Sequence, residues 1–66
     1  MDVDALTALL RETAERHDPY EQSAPPHQWW DWYAPYMYAR EHGSPPEEAA
    51  RAAADHVEAV RKTAAG

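Results

Sequence analysis

The chain has 66 residues, a formal net charge of −6 at pH 7 and no cysteine. This length allows one domain, residues 1–66, and so short a chain buries only about 60% of its unfolded surface. The lack of cysteine excludes disulfides and thiolate zinc sites. The acidic charge disfavours nucleic acid and anionic membranes as partners, because both are bound through clustered Lys and Arg. No apolar run reaches bilayer length, which predicts a soluble, cytoplasmic protein.

The first segment predicts a helix over residues 3–17. Positions suited to a buried face recur at three- and four-residue steps: Val3, Leu6, Leu10, Thr13 and His17. Asp2 is suited to the N-cap position. A residue before proline is biased away from helical conformation, so Asp18-Pro19 predicts the end of this helix. Residues 18–26 contain three prolines, which predicts an ordered loop.

The most unusual segment, WWDWYAPYMY over residues 29–38, holds all three tryptophans and three of the four tyrosines. We predict that it lies within a second helix over residues 27–42, with Pro26 suited to its first turn. One broad face of this helix, expected to form much of the core, collects six side chains: Trp29, Trp32, Tyr33, Tyr36, Met37 and Arg40. Trp30 lies on the shoulder of that face and Tyr38 opposite it, so both are predicted to be exposed.

Pro35 lies inside this helix, where proline removes one backbone hydrogen bond and clashes with the preceding turn. Two arrangements follow. The helix is either continuous and kinked at Pro35, with the proline on its outer side, or it is a short turn followed by a new helix from about Ala34.

Gly43 suits the left-handed position that ends a helix, and Ser44 with Glu47 predicts a reciprocal cap for a third helix over residues 45–63. The inner stripe of this helix is small: Pro46, Ala49, Ala50, Ala53, Val57 and Val60. Small residues allow close approach to a bulky neighbour. The sequence therefore predicts an all-α fold, a compact three-helix array in which the aromatic second helix lies between the other two.

Four histidines are candidate metal ligands: His17, His27, His42 and His56. A helical metal site needs ligands at i and i+3 or i+4. His27 and Asp31 have that spacing, but it is common on exposed helices. We therefore predict no metal site and no cofactor.

The sequence also lacks the patterns of catalysis. It has no nucleophilic cysteine, no glycine-rich phosphate loop and no convincing Ser-His-Asp arrangement. A small helical array also has little room for a water-excluding pocket. The prediction is a non-enzymatic protein.

Two motifs, WWDWYAPYM and GSPPEEAARAAADHVE, lie within residues 27–60. They resemble a short helical module of actinobacterial proteins, which also occurs in chains of the glyoxalase/bleomycin-resistance group. The matching positions are Asp31, Trp32, Tyr33, Ala34, Tyr36 and Met37. The resemblance implies a helical unit associated with antibiotic tolerance or secondary metabolism. It implies no metal-dependent chemistry, because no segment here reads as a strand and the metal ligands of that superfamily are absent.

These observations favour an interaction module whose surplus aromatic side chains dock a second copy or a partner protein. One alternative is a protein that stacks a planar metabolite or antibiotic between aromatic rings, and another is an accessory subunit of a metabolic enzyme. The candidate binding residues are Trp30, Trp32, Tyr20, Tyr38 and Asp31. In the small-molecule hypothesis, Trp30, Trp32 and Tyr20 line a cleft between the first two helices. Trp32 is also predicted to be structural.

Overall fold

The computed structural model describes the backbone of residues 1–65 and the side chains of residues 1–63. This part of the chain contains three α-helices, α1 Val3–Glu21, α2 Trp29–Glu41 and α3 Pro46–Ala65, and no strand. The central helix is α2, which packs against both α1 and α3. The predicted all-α three-helix fold is therefore confirmed. No helix within the described residues is long and apolar enough to cross a bilayer.

Both ends of α1 reflect identifiable interactions. Asp2 is the N-cap, and its Oδ1 accepts a hydrogen bond from the backbone N–H of Ala5 over 2.7 Å, as predicted. At the other end α1 continues through Pro19, so the predicted end before this proline is wrong. Pro19 lies in the last turn, and the ring of Tyr20 packs against that of Trp32 with centroids 5.7 Å apart. This packing offsets the hydrogen bond that Pro19 cannot donate.

The predicted buried face of α1 forms only in its second half. Thr13 and His17 are buried. The first half of that face is exposed instead: Val3 by 77%, Leu6 by 42% and Leu10 by 43%. The predicted burial of these three residues is therefore wrong. They form an aliphatic stripe on the surface, defined as Val3, Leu6 and Leu10.

The second helix begins at Trp29, two residues later than predicted. Pro26 therefore lies in the loop between α1 and α2 instead of in a first helical turn. The reason is the neighbouring His27, whose Nδ1 lies 2.8 Å from the carbonyl oxygen of Pro25. This contact holds His27 outside the helix, and Gln28 is the extended residue that precedes α2.

The second helix runs without a break through Pro35, so the alternative of two separate helices is wrong. The kink stays a prediction. Gly43, with φ of 97°, follows the C-cap and confirms the predicted helix end. The N–H of Gly43 donates to the carbonyl of Arg40 over 3.1 Å, and the N–H of Ser44 donates to that of Ala39 over 2.9 Å. These two bonds form a Schellman motif.

The third helix begins at Pro46, one residue later than predicted, and the carbonyl of Pro45 accepts from the N–H of Ala49 over 2.9 Å. The predicted reciprocal cap between Ser44 and Glu47 is not found among the hydrogen bonds of residues 1–63. Pro45 takes the position before the first helical residue, which displaces Ser44 from the cap by one residue.

The core is centred on Trp32 and Tyr36, which are 1% and 0% exposed. Their rings stack with centroids 5.0 Å apart and an interplanar angle of 13°. The small stripe of α3 covers them as predicted, with three residues buried and three partly buried: Ala49, Ala53 and Val57, then Pro46, Ala50 and Val60. The predicted core position of Trp29 is wrong, since it is 56% exposed. Helical side chains lean towards the N-terminus, so the ring of this first residue projects past the end of α2.

Candidate functional site

Two aromatic surfaces remain exposed on α2. At its start, Trp29 and Trp30 are 56% and 51% exposed and form a T-shaped pair with centroids 5.4 Å apart. We name them the indole pair. Near the end of α2, Tyr38 is 65% exposed and stacks on His42 with centroids 4.0 Å apart. The predicted exposure of Trp30 and Tyr38 is thus confirmed.

The three residues expected to line a ligand cleft do not come together at the surface. The ring of Trp32 is buried and contacts those of Tyr36 and Tyr20. Tyr20 is partly buried against the core. Trp30 contacts Trp29 instead. Trp32 and Tyr20 therefore serve the packing of α1 against α2, and these three residues do not line the cleft predicted between the two helices.

Asp31 lies at a surface depression of about 330 Å³ between the start of α2 and the last turns of α3. The other lining residues are Pro26, His27, Gln28, Val57, Val60 and Arg61. His27, which the sequence pairs with Asp31 across one helical turn, lines the same depression. However, the Nε2 atom of His27 contacts Glu21 instead, at 2.8 Å from its carboxylate.

A hydrogen-bonded network joins α1 to α2 near the middle of the molecule. The hydroxyl of Tyr36 and the Nε of Arg40 both donate to Glu12 Oε2 over 2.6 Å. Arg40 Nη2 donates to Glu12 Oε1 over 3.2 Å, and its Nη1 donates to the carbonyl of Ser44 over 3.0 Å. The bonds from Arg40 and Tyr36 lower the pKa of Glu12. Burial, with the bond to the Glu12 carboxylate, raises the pKa of Tyr36 to about 12.

A second polar group lies where α1 ends and the loop to α2 passes it. It consists of His17, Glu21 and His27, and we name it the His-Glu-His cluster. The Nε2 atoms of His17 and His27 are 3.1 Å apart. Glu21 Oε1 lies 3.5 Å from the first and 2.8 Å from the second. Burial lowers the pKa of His17, which favours its neutral imidazole.

This cluster is not predicted from the sequence. His17 and Glu21 have the i, i+4 spacing that places two ligands on one helical face. The predicted end of α1 before Pro19 places Glu21 in a loop, where this helical spacing does not apply. The position of His27 depends on the path of the loop, which no spacing rule supplies.

No family model matches the chain, and neither a curated protein nor a solved structure matches it. The resemblance to actinobacterial helical modules therefore stays a prediction.

Proposed function

We propose that the protein is a small helical interaction module that pairs with a second copy of itself. The observation that supports this proposal is the exposure of the aliphatic stripe on α1. Its side chains follow one another at three- and four-residue steps, the spacing at which apolar side chains form a continuous strip along a helix. Two of the three leucines in the chain belong to this stripe. Leaving them exposed in so small a protein favours a role in association.

The charges beside the stripe favour antiparallel pairing of two copies. Asp2 precedes the N-terminal end of the stripe, whereas Arg11 and Arg16 follow the C-terminal end of the stripe along α1. Glu12 is already paired within its own chain, and Glu15 lies on the opposite face of the helical wheel. In an antiparallel pair, the acidic end of one stripe lies beside the basic end of the other. A parallel pair places like charges together.

The stripe alone covers less surface than a standard interface, which buries about 800 Å² on each partner. The described chain exposes 4675 Å² in all, so a standard interface would take about a sixth of it. The stripe spans only about two helical turns. We therefore expect a reversible dimer with a dissociation constant in the micromolar range.

Sedimentation equilibrium over a wide concentration range tests this function. We expect the unmodified protein to dimerise reversibly and the double variant Leu6→Glu/Leu10→Glu to stay monomeric. Both leucines are exposed, so this variant should keep its helical circular dichroism. The matched control is Trp29→Ser/Trp30→Ser, which changes two exposed apolar residues outside the stripe and should dimerise normally.

Two results would contradict the proposal. A strict monomer at all concentrations rules out self-pairing. A dimer that is lost only in the tryptophan variant rules out the α1 stripe and supports docking through the aromatic helix, as the sequence predicts.

A further inference from the structure

Three metal-binding atoms converge at the junction of α1 and the loop that precedes α2. They are the Nε2 atoms of His17 and His27 and the Oε1 atom of Glu21, and all lie within 4.8 Å of one another. We propose that the His-Glu-His cluster binds a zinc ion. Two imidazoles and one carboxylate form a ligand set that zinc accepts in proteins. The site lies at the opposite end of α1 from the aliphatic stripe, so it is independent of the proposed pairing.

The separations of the three atoms suit a single ion. They are 3.1, 2.8 and 3.5 Å, close to the spacing of about 3.3 Å between ligands around tetrahedral zinc. The circle through the three atoms has a radius of about 1.8 Å, slightly shorter than a zinc–nitrogen bond of about 2.05 Å. An ion placed about 0.9 Å outside their plane therefore reaches all three at bonding distance.

The loop orients His27 as a ligand. Its Nδ1 lies 2.8 Å from the carbonyl oxygen of Pro25. A carbonyl oxygen only accepts hydrogen bonds, so Nδ1 carries the proton and the lone pair of neutral His27 is on Nε2. Metal-binding histidines typically donate their second N–H to a carbonyl or carboxylate in this way. The backbone therefore presents Nε2 of His27 to the cluster.

The shortest contact of the cluster joins Nε2 of His27 to Glu21 Oε1 over 2.8 Å. A cation bound between an imidazole lone pair and a carboxylate oxygen interacts favourably with both atoms, and a zinc ion accepts both as ligands.

The surroundings give the site one closed side and one open side. The side chains of His17 and His27 are only 10% and 4% exposed, whereas that of Glu21 is 51% exposed. The rings of Tyr20 and Tyr33 pack against His17 with centroids 6.1 and 5.3 Å away. Aromatic walls thus fix the imidazoles, and the ion enters past Glu21. Three protein ligands leave the fourth position of a tetrahedral ion for water.

Ligand chemistry selects zinc over the abundant hard cations. Imidazole nitrogen suits zinc and neighbouring transition metals, whereas magnesium and calcium need oxygen ligands. Binding would fasten the loop at His27 to the last turn of α1. In a chain without disulfides, such a link stabilises the folded state directly.

Calorimetric titration of tag-free, chelator-treated protein with zinc chloride at neutral pH tests the site. We expect one zinc ion per chain. At a free zinc concentration one hundred times the dissociation constant, the melting temperature should rise by about 10 °C or more. Cobalt(II) should give the intense visible absorption of a tetrahedral complex.

Variants separate this cluster from other histidines. Glu21→Gln and His27→Gln should each weaken zinc affinity at least tenfold. Substituting even a residue that only supports a metal ligand typically lowers metal affinity by about 10–100-fold. His42→Gln and His56→Gln are matched controls, because both residues are exposed outside the cluster, and should bind zinc normally. Circular dichroism verifies that each variant folds. Because the Glu21 side chain is exposed, Glu21→Gln should disturb folding least.

Three outcomes would overturn the site. The first is no zinc binding at about 100 μM. The second is normal zinc binding by folded Glu21→Gln and His27→Gln. The third is loss of binding in His42→Gln or His56→Gln, which would place the ion on surface histidines.

Discussion

Tyr36 donates a hydrogen bond to Glu12 across the α1–α2 interface, and the oxygen–oxygen distance of 2.6 Å is typical of a bond to a charged acceptor. The phenol ring of Tyr36 is fully buried, while the side chain of Glu12 is 31% exposed. The bond therefore satisfies the one polar atom of a core residue at the edge of the core. Arg40 contacts the same carboxylate oxygen, so the network also fixes how α1 lies along α2.

Removing the hydroxyl of Tyr36 should destabilise the fold without leaving Glu12 unpaired. For Tyr36→Phe we expect the free energy of unfolding to fall by about 1.5–3 kcal/mol, the usual contribution of a hydrogen bond to a charged group. Urea denaturation measures this change. Tyr38→Phe is the matched control. Because Tyr38 is exposed, this variant should change the free energy of unfolding by no more than about 0.5 kcal/mol. Equal effects for the two variants would contradict a stabilising role for the Tyr36 bond.

The same network predicts acid sensitivity. The pKa of folded Glu12 is lowered by its bonds from Arg40 and Tyr36, whereas the unfolded chain keeps a glutamate pKa of about 4.3. The unfolded state then binds the proton more readily, so the stabilisation is complete above about pH 4.3 and is lost as the pH falls through the lowered pKa. Melting temperatures between neutral pH and about pH 2 should therefore fall more steeply for the unmodified protein than for Glu12→Gln.

Exposed Glu15 provides the control for this pH series. Glu15→Gln should retain the steep acid limb of the unmodified protein. If Glu12→Gln and the unmodified protein lose stability in parallel over the whole range, the Glu12 network does not cause the acid sensitivity.

Features of the fold that depend on local conformation could be predicted from the sequence. Asp2 caps α1 because a short carboxylate reaches the N–H groups of the first turn, and Gly43 ends α2 because it tolerates positive φ. Pro19 is a position at which these local rules fail. Its local bias against helix is real, but Tyr20 packs against Trp32 only if α1 continues, and this tertiary contact prevails.

The His-Glu-His cluster could not be predicted because of the same wrong end of α1. Once α1 extends past Pro19, Glu21 lies one turn beyond His17, and the spacing alone indicates a pair of ligands. His27 joins them because its ring bonds to the carbonyl of Pro25, a contact set by the loop conformation. The exposure of Trp30 follows from its position on the helical wheel of α2. The predicted burial of the stripe residue Leu6 depends instead on a second helix packing over it, and local sequence does not specify that contact.

Gly43 offers a test of backbone strain without a steric contribution. Its φ is 97°, yet a Cβ atom added there would meet nothing within 4 Å. Any destabilisation by Gly43→Ala thus reports the conformation itself, and we expect about 1–2 kcal/mol in thermal or urea unfolding. Gly43→Asn should be less harmful, since asparagine visits the left-handed region more readily. An alanine variant as stable as the unmodified protein would show that the chain ends α2 in another conformation.

Trp32 and Trp30 lie two residues apart and should respond oppositely to truncation. Trp32 is 1% exposed, so Trp32→Ala removes the largest side chain of the core and should cost about 3–5 kcal/mol. A domain of this length has roughly 3–10 kcal/mol of stability in total, so we expect the variant to lose much of its helical circular dichroism. Trp30 is 51% exposed, and Trp30→Ala should change the free energy of unfolding by less than about 1 kcal/mol. Full helicity and cooperative melting of Trp32→Ala would contradict the packing of α2 between α1 and α3, because the stack with Tyr36 would then be dispensable.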